Sequence, residues 1–317
     1  MHEQFRDKQF FKGNNMPTLS NTKMKASGEQ VNDVASLHPH LESLTNENKA
    51  EVLAFLAERP LHTVYLAGYI LDNGVVSPLN RGSFYGYRNT EGQLEGVALI
   101  GHATLFEIRS SEALAAFASL AQSSTRTHVL MGETKKVEHF WSLYGEGGQP
   151  SRLMCRELLF EQRFPVEVKK PVQGLRRATL RDLGMLLPIQ AEMAVNESGV
   201  NPTEIDPNGF RLRLARRIEQ GRVWVLFENG RLIFKADIMF ETPEVVYLEG
   251  IYVAPEERGQ GIGRLCLSQL TRNLLARVKA VSLLVNEQNQ KASSFYLQAG
   301  FKLRDYYDTI FLEQASA

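Results

Sequence analysis

Val253-Ala254-Pro255-Glu256-Glu257-Arg258-Gly259-Gln260-Gly261-Ile262-Gly263 is the most informative stretch of this 317-residue chain. Upstream, Val245–Val253 alternates side chains between two faces and reads as a strand. Pro255 stops it, because a residue without an N–H cannot serve a ladder. Downstream, Ile262, Cys266, Leu270 and Leu274 recur at helical spacing, with Leu267 and Leu275 alongside, which predicts a helix over 262–278. Three alternate glycines between strand and helix leave successive amides uncovered by any Cβ. Those amides have no helical partner, and the helix dipole adds roughly half a positive charge at that end. A phosphate suits such a loop, and Arg258 and Arg264 flank it to neutralise further negative charge. Competing glycine motifs fail on spacing. No Gly-Lys-Ser or Gly-Lys-Thr is present, and Arg264 or Cys266 stands where a dinucleotide fingerprint needs its third glycine.

Beyond the helix, Val281–Val285 reads as another strand. A second helix is expected from about Asn289, with Ala292, Phe295, Tyr296 and Ala299 on one face and Gly300 as its stop. The loop from Val253 to Gly263, followed by Asn286-Glu287-Gln288-Asn289 and Phe295-Tyr296-Leu297-Gln298-Ala299-Gly300-Phe301, resembles the two cofactor segments of the GCN5-related N-acetyltransferases (GNAT). The resemblance covers roughly residues 174–312. The first half, with Trp141 and the Arg156–Phe160 stretch, is similar to the domain of unknown function 4081, which precedes an acetyltransferase domain in some bacterial proteins.

The resemblance implies an enzyme that uses acetyl-CoA, needs no metal, and passes the acetyl group directly to an amine. It places the backbone of Ile251, Tyr252 and Val253 against the acetyl and pantetheine parts of the cofactor. The loop Arg258, Gly259, Gln260, Gly261, Ile262, Gly263 and Arg264 falls at the pyrophosphate, and Asn286, Asn289 and Tyr296 along the cofactor arm. Tyr296 is the expected proton donor to the leaving sulfur, against the alternative of a core tyrosine packed on Phe295 and Ala292. Glu249 is the candidate base, with a structural strand carboxylate as the equal alternative. The place where some members carry a glutamate on the next strand falls near Leu284, which is apolar. On the acceptor side, Glu192 and Glu197 suit a cationic or polar amine, although such residues more often simply solvate a loop. A non-catalytic acyl-CoA-binding sensor or scaffold is the competing reading.

The rest of the sequence bounds these expectations. Lys plus Arg and Asp plus Glu both number 36, and this zero net charge argues against a general nucleic-acid binder. No apolar run approaches the ~18 residues of a membrane helix. Cys155 and Cys266 lack metal-site or disulfide spacing, and His62, His102 and His139 look isolated, so a cytoplasmic protein without metal is expected. A homodimer is compatible with the sequence. The Arg211, Arg213, Arg216 and Arg217 run reads as an exposed helix face.

Residues 1–35 are polar and aperiodic, and read as a disordered tail. A hairpin over Ser83–Arg88 and Leu94–Gly101 echoes one over Val223–Phe227 and Leu232–Phe240. Pro165, Pro171 and Gly174 punctuate the chain between them. The expected fold is α+β: tandem GNAT-like units at 36–165 and 174–317, each a twisted mixed sheet flanked by helices. The first lacks an Arg-Gly-x-Gly-x-Gly loop and is expected to bind no cofactor.

Overall fold

The computed structural model describes residues 38–124, 127–168 and 170–313; the expected tail at 1–35 lies outside the described residues. The strands are β1 (Leu41–Ser43), β2 (Gly82–Arg88), β3 (Leu94–Gly101), β4 (Ala103–Ile108), β5 (Val129–Glu133), β6 (Ser151–Gln162), β7 (Arg176–Arg177), β8 (Val223–Glu228), β9 (Arg231–Glu241), β10 (Val245–Val253), β11 (Ala280–Asn286) and β12 (Lys302–Leu312). The helices are α1 (Lys49–Ala57), α2 (Val64–Asn73), α3 (Ser111–Gln122), α4 (Thr134–Tyr144), α5 (Leu183–Ser198), α6 (Pro202–Ile205), α7 (Pro207–Glu219), α8 (Ile262–Leu275) and α9 (Gln290–Gln298). None is long and apolar enough to cross a membrane.

All strands join one 12-stranded sheet in the order β1-β2-β3-β4-β5-β12-β6-β11-β10-β9-β8-β7. Read outward from its centre, the order is the same on both sides: β12 then β5 and β4, β6 then β11 and β10. On each side one pair is parallel, β4 with β5 and β10 with β11, and the outer strands are antiparallel. The result is a mixed sheet flanked by helices, the α+β arrangement the sequence predicts, with its two sides joined into one sheet.

The centre is an exchange of strands. β6, from the first half, lies between β11 and β12 of the second. In return β12 pairs with β5 of the first half. Leu159 and Phe160 of β6 and Tyr307 and Ile310 of β12 are buried there, so neither half closes its own sheet alone.

A second junction forms where α2 crosses β9. Gly68 permits it, because a Cβ at that residue would lie 2.4 Å from the Phe240 ring. Tyr65 and Tyr69 flank the contact and pack on Phe240 at ring-centroid distances of 5.2 and 4.7 Å. Arg222 donates to both Asp72 oxygens at 2.5 and 2.6 Å, and Arg216 donates to Asn73, fastening the other end of α2 to the second half. Two of the four arginines expected on an exposed face therefore turn inward. Arg216 takes this bond, and Arg217 donates to the fully buried Asp237 at 2.9 Å. Their partners come from distant strands and helices, which helical periodicity does not show.

Candidate active site

The glycine loop takes the form its spacing predicts. After a single 3-10 turn at Pro255–Glu257, Gly259 and Gly261 adopt φ of 80° and 84°, and α8 starts at Ile262. Those φ values strain any residue with a Cβ. A Cβ on either glycine would meet nothing within 4 Å, so both face open space. Gly263 serves a different end: its Cβ would lie 2.6 Å from Val253 Cγ2, so it lets α8 pack directly on β10. Among the described residues, the amides of Gly259, Gly261, Ile262, Gly263 and Arg264 donate to no backbone or side-chain acceptor. The loop is braced from behind. Arg231 donates to Glu256 and Glu257, Gln260 to the Glu256 carbonyl, and Arg258 to the Val253 carbonyl. Arg258 and Arg264 remain exposed beside the free amides. Cys266, one turn into α8, is buried and its thiol is pushed up to about 12 by burial, as suits a packing residue.

β10 and β11 pair only from Val245 to Tyr247, and beyond that point they separate. Glu249, Gly250, Ile251, Tyr252 and Val253 are the half-buried residues of β10 past the opening. The β9–β10 register breaks between Glu249 and Tyr252, a bulge centred on Gly250 with φ 60°. Beneath it Lys235 and Asp237, both 0% exposed, pair at 2.8 Å, and Lys235 Nζ donates to the Gly250 carbonyl at 3.2 Å. A Cβ at Gly250 would come within 2.9 Å of that nitrogen. The sequence reading passed over this device; a glycine inside a strand pattern was its one local signal.

The catalytic candidates stand on different elements, Tyr296 on α9 and Glu249 on β10. Tyr296 on α9 is 8% exposed and packs among Phe160, Phe295 and Phe301. Burial pushes its phenol well above the ordinary value, so it stays protonated at neutral pH. Glu249 makes no hydrogen bond or ion pair among the described residues. Burial raises its pKa against the pull of Arg217 and Lys235. Asn286 accepts from the Gln288 amide, and Asn289 caps α9 by accepting from Ala292 N at 3.1 Å.

Glu197 and Glu192, both on α5, are both exposed. Glu197 borders a cavity of about 240 Å³ together with Cys155, Asn196 and Asn286. Crowding by protein atoms around its carboxyl, then the charges of Glu249 and Glu157, raise its pKa. Glu192 is exposed and acts electrostatically on Tyr252. Glu157, on β6, was not anticipated. It accepts from Thr309 Oγ1 at 2.5 Å, and burial, reinforced by the Glu249 charge, raises its pKa. Only the strand exchange brings it here.

His62, Glu133 and Asp305, which are far apart in sequence, hold candidate metal-ligand atoms within 4.8 Å of one another. Arg59 and Lys136 already grip Glu133 at 2.6 and 2.7 Å, and their charges oppose a cation.

Residues 219–303 match the family model described as an acetyltransferase (GNAT) domain. Over 57 residues the chain is 35% identical to the peptidyl-lysine N-acetyltransferase YjaB of Salmonella typhimurium, covering 18% of this chain and 37% of that protein. The chain thus spans little more than a third of that curated relative. A GNAT-family acetyltransferase from Colwellia psychrerythraea superposes with a TM-score of 0.56 at 14% identity, over 86% of this chain and 99% of that one. A tandem GNAT protein from the clavulanic acid biosynthesis pathway gives 0.55 at 14% identity, over 87% and 99%. At such identities the structural likeness speaks for the fold.

Proposed function

We propose that this chain, which carries a GNAT acetyltransferase domain over residues 219–303, transfers the acetyl group of acetyl-CoA directly to an amine. The observation that carries the reading is the row of unpartnered amides ahead of α8, bordered by open glycines and two arginines, beside the parting of β10 and β11. Such amides suit a diphosphate, which would accept several charge-assisted hydrogen bonds at once. When bound, the cofactor supplies an activated acetyl thioester. The free amides of Gly259, Gly261, Ile262, Gly263 and Arg264 would hold its pyrophosphate, the backbone of Ile251, Tyr252 and Val253 would lie along its pantetheine arm, and Asn286 and Asn289 would line the far side. The bulge at Gly250 sets the direction of that backbone.

The chain's own groups then manage protons. An amine attacks only when neutral, and Glu249 takes its proton. A carboxylate whose pKa burial raises is a stronger base than an exposed one. Tyr296, held protonated by its apolar surroundings, donates to the departing sulfur. In this reading the units are 36–165 and 174–317. The first contributes walls and holds no cofactor.

Titration calorimetry with coenzyme A, followed by transfer assays on an amine panel, tests the reading. Wild type is expected to bind and to turn over, and Tyr296→Phe to bind equally well while kcat falls about 10- to 100-fold. Binding without turnover on every amine would favour a sensor. No heat at millimolar coenzyme A would end the proposal.

A further inference from the structure

We infer that Lys235 is a positioning residue for acetyl transfer: by holding the Gly250 carbonyl it fixes how β10 leaves the sheet, and so places Glu249 and the backbone of residues 251–253. This role rests on the acetyl-transfer reading and concerns the same opening.

Two register shifts interrupt the β9–β10 ladder, one between Tyr247 and Leu248 and one between Glu249 and Tyr252. The first gives β9 an extra residue, Met239. The second gives β10 an extra one, so the original register returns at Tyr252 and Lys235. Between the shifts, Leu248 and Glu249 sit one place out of register, opposite Ile238 and Asp237. The first shift begins at Tyr247, the last residue of β10 that pairs with β11. Such bulges cost ladder bonds and re-aim the side chains beside them.

One buried network of charges holds both shifts. Arg217 donates to Met239 Sδ at 3.2 Å and to Asp237 at 2.9 Å. Asp237 in turn pairs with Lys235 at 2.8 Å, and Lys235 Nζ donates to the Gly250 carbonyl at 3.2 Å. Lys235 and Asp237 are both wholly buried. Taking an ammonium out of water is costly, and an apolar side chain of similar volume often serves stability as well or better. Stability therefore gives no reason for a lysine here, because Asp237 already has Arg217. What Lys235 adds, and an apolar residue would not, is a charged donor to the carbonyl at which β10 turns.

The consequence for the chemistry is geometric. Glu249 precedes Gly250 and Ile251 follows it, so a carbonyl that swings moves the candidate base and the cofactor-facing backbone together. A misplacement of about 1 Å can cost about 100-fold in rate. The loop that carries the free amides is braced separately, by Arg231 on Glu256 and Glu257, and takes no support from Lys235.

The test is Lys235→Met in the full-length protein, which keeps an unbranched side chain and leaves Asp237 paired with Arg217. With acetyl-CoA and the panel amine that wild type acetylates fastest, kcat is expected to fall about 10- to 100-fold while the coenzyme A Kd stays within about twofold. Hydrogen exchange over residues 247–254, measured without ligand, should quicken in the variant and stay as in wild type elsewhere. Gly250→Ala disturbs the same carbonyl from its own residue. If both act through one geometry, the double variant is no slower than the slower single one, and losses that multiply overturn the inference. So does an unchanged kcat for Lys235→Met, or a variant that fails to fold. A lower kcat with faster exchange throughout the chain and weaker coenzyme A binding marks a structural lysine and overturns it as well. Wild type that binds no coenzyme A, or binds it and acetylates no amine, overturns the acetyl-transfer reading instead.

Discussion

The sheet opens twice, once in each half, and the two openings have been treated in opposite ways. In the first half, β4 and β5 pair at Ala103–Val129 and Thr104–Leu130 and then part; in the second, β10 and β11 do the same after Tyr247–Ser282. Glu107 and Glu249 occupy matching places, each four residues past the first paired residue of its strand. Glu107 is buried and held by Arg59 at 2.8 Å and Lys136 at 3.0 Å; the same two cations hold Glu133. Tyr307 from the exchanged β12 meets His62 Nδ1 at 3.0 Å and closes the side. Glu249 has none of this. The following helices differ likewise. Ser110 caps α3 by accepting from Ala113 N, and Glu112 puts a negative charge in its first turn. Gly261 begins α8 with no side-chain cap, and no acidic residue follows in that turn. One architecture thus satisfies its polar groups internally, whereas the other leaves them free at the candidate site. Amides and carboxylates are costly to leave unpaired, so where they stay unpaired a ligand is the natural partner.

Converting one opening toward the other gives the largest expected effect. Gly261→Asp gives α8 the acidic start that α3 has, at the cost of some strain from the positive φ, which aspartate tolerates better than most residues. We expect coenzyme A affinity to drop about a thousandfold by calorimetry, since a negative charge then stands among amides that would otherwise make several charge-assisted hydrogen bonds. Glu249→Gln comes next, with kcat/KM for the amine lower by about 100-fold. In wild type that parameter should rise with pH through an inflection above the usual carboxylate range, because burial outweighs Arg217 and Lys235 and raises Glu249. The variant should lose the inflection.

In the first half the consequence is stability. Arg59→Ala strips a partner from both Glu107 and Glu133 and should lower unfolding free energy by about 2 kcal/mol, read by denaturant titration, with coenzyme A affinity unchanged. The smallest effect concerns acid. Burial works against the Glu133 carboxylate, yet hydrogen bonds from Arg59 and Lys136 hold its pKa down to about 2. A depressed folded-state pKa stabilises above the unfolded value near 4.5 and is lost as pH falls toward 2. Between pH 5.5 and 3 it should contribute about 1 kcal/mol of lost stability after solvent screening, and Glu133→Gln should flatten that slope.

Local signals read well where neighbours in sequence are neighbours in space. The hairpins over 82–101 and 223–241, the strand at Val245–Val253 and the cap at Asn289 lie within a residue or two of their expected places. The same holds for the turn at Gly300, with φ 95°. The predicted helix over 262–278 ends sooner, at Leu275. Arg217 shows where such reading stops. Its helix position suggested solvent, but its partner Asp237 arrives from a different strand. Tyr65 lies outside every stretch the sequence marks, and Glu157, within Arg156–Phe160, carries no local feature that points to a site.

The order of residues from Val253 to Gly263 was enough to specify a strand, a stop, and a helix start bare of side chains, because glycine's freedom and proline's missing donor are properties of single residues. Folding in three dimensions decided which carboxylates stay without a partner, which opening is filled with arginine and lysine, and that β6 and β12 change places. Those outcomes depend on charges and rings brought together from more than a hundred residues apart, as Arg156 and Asp308 are, and no local periodicity encodes such distances.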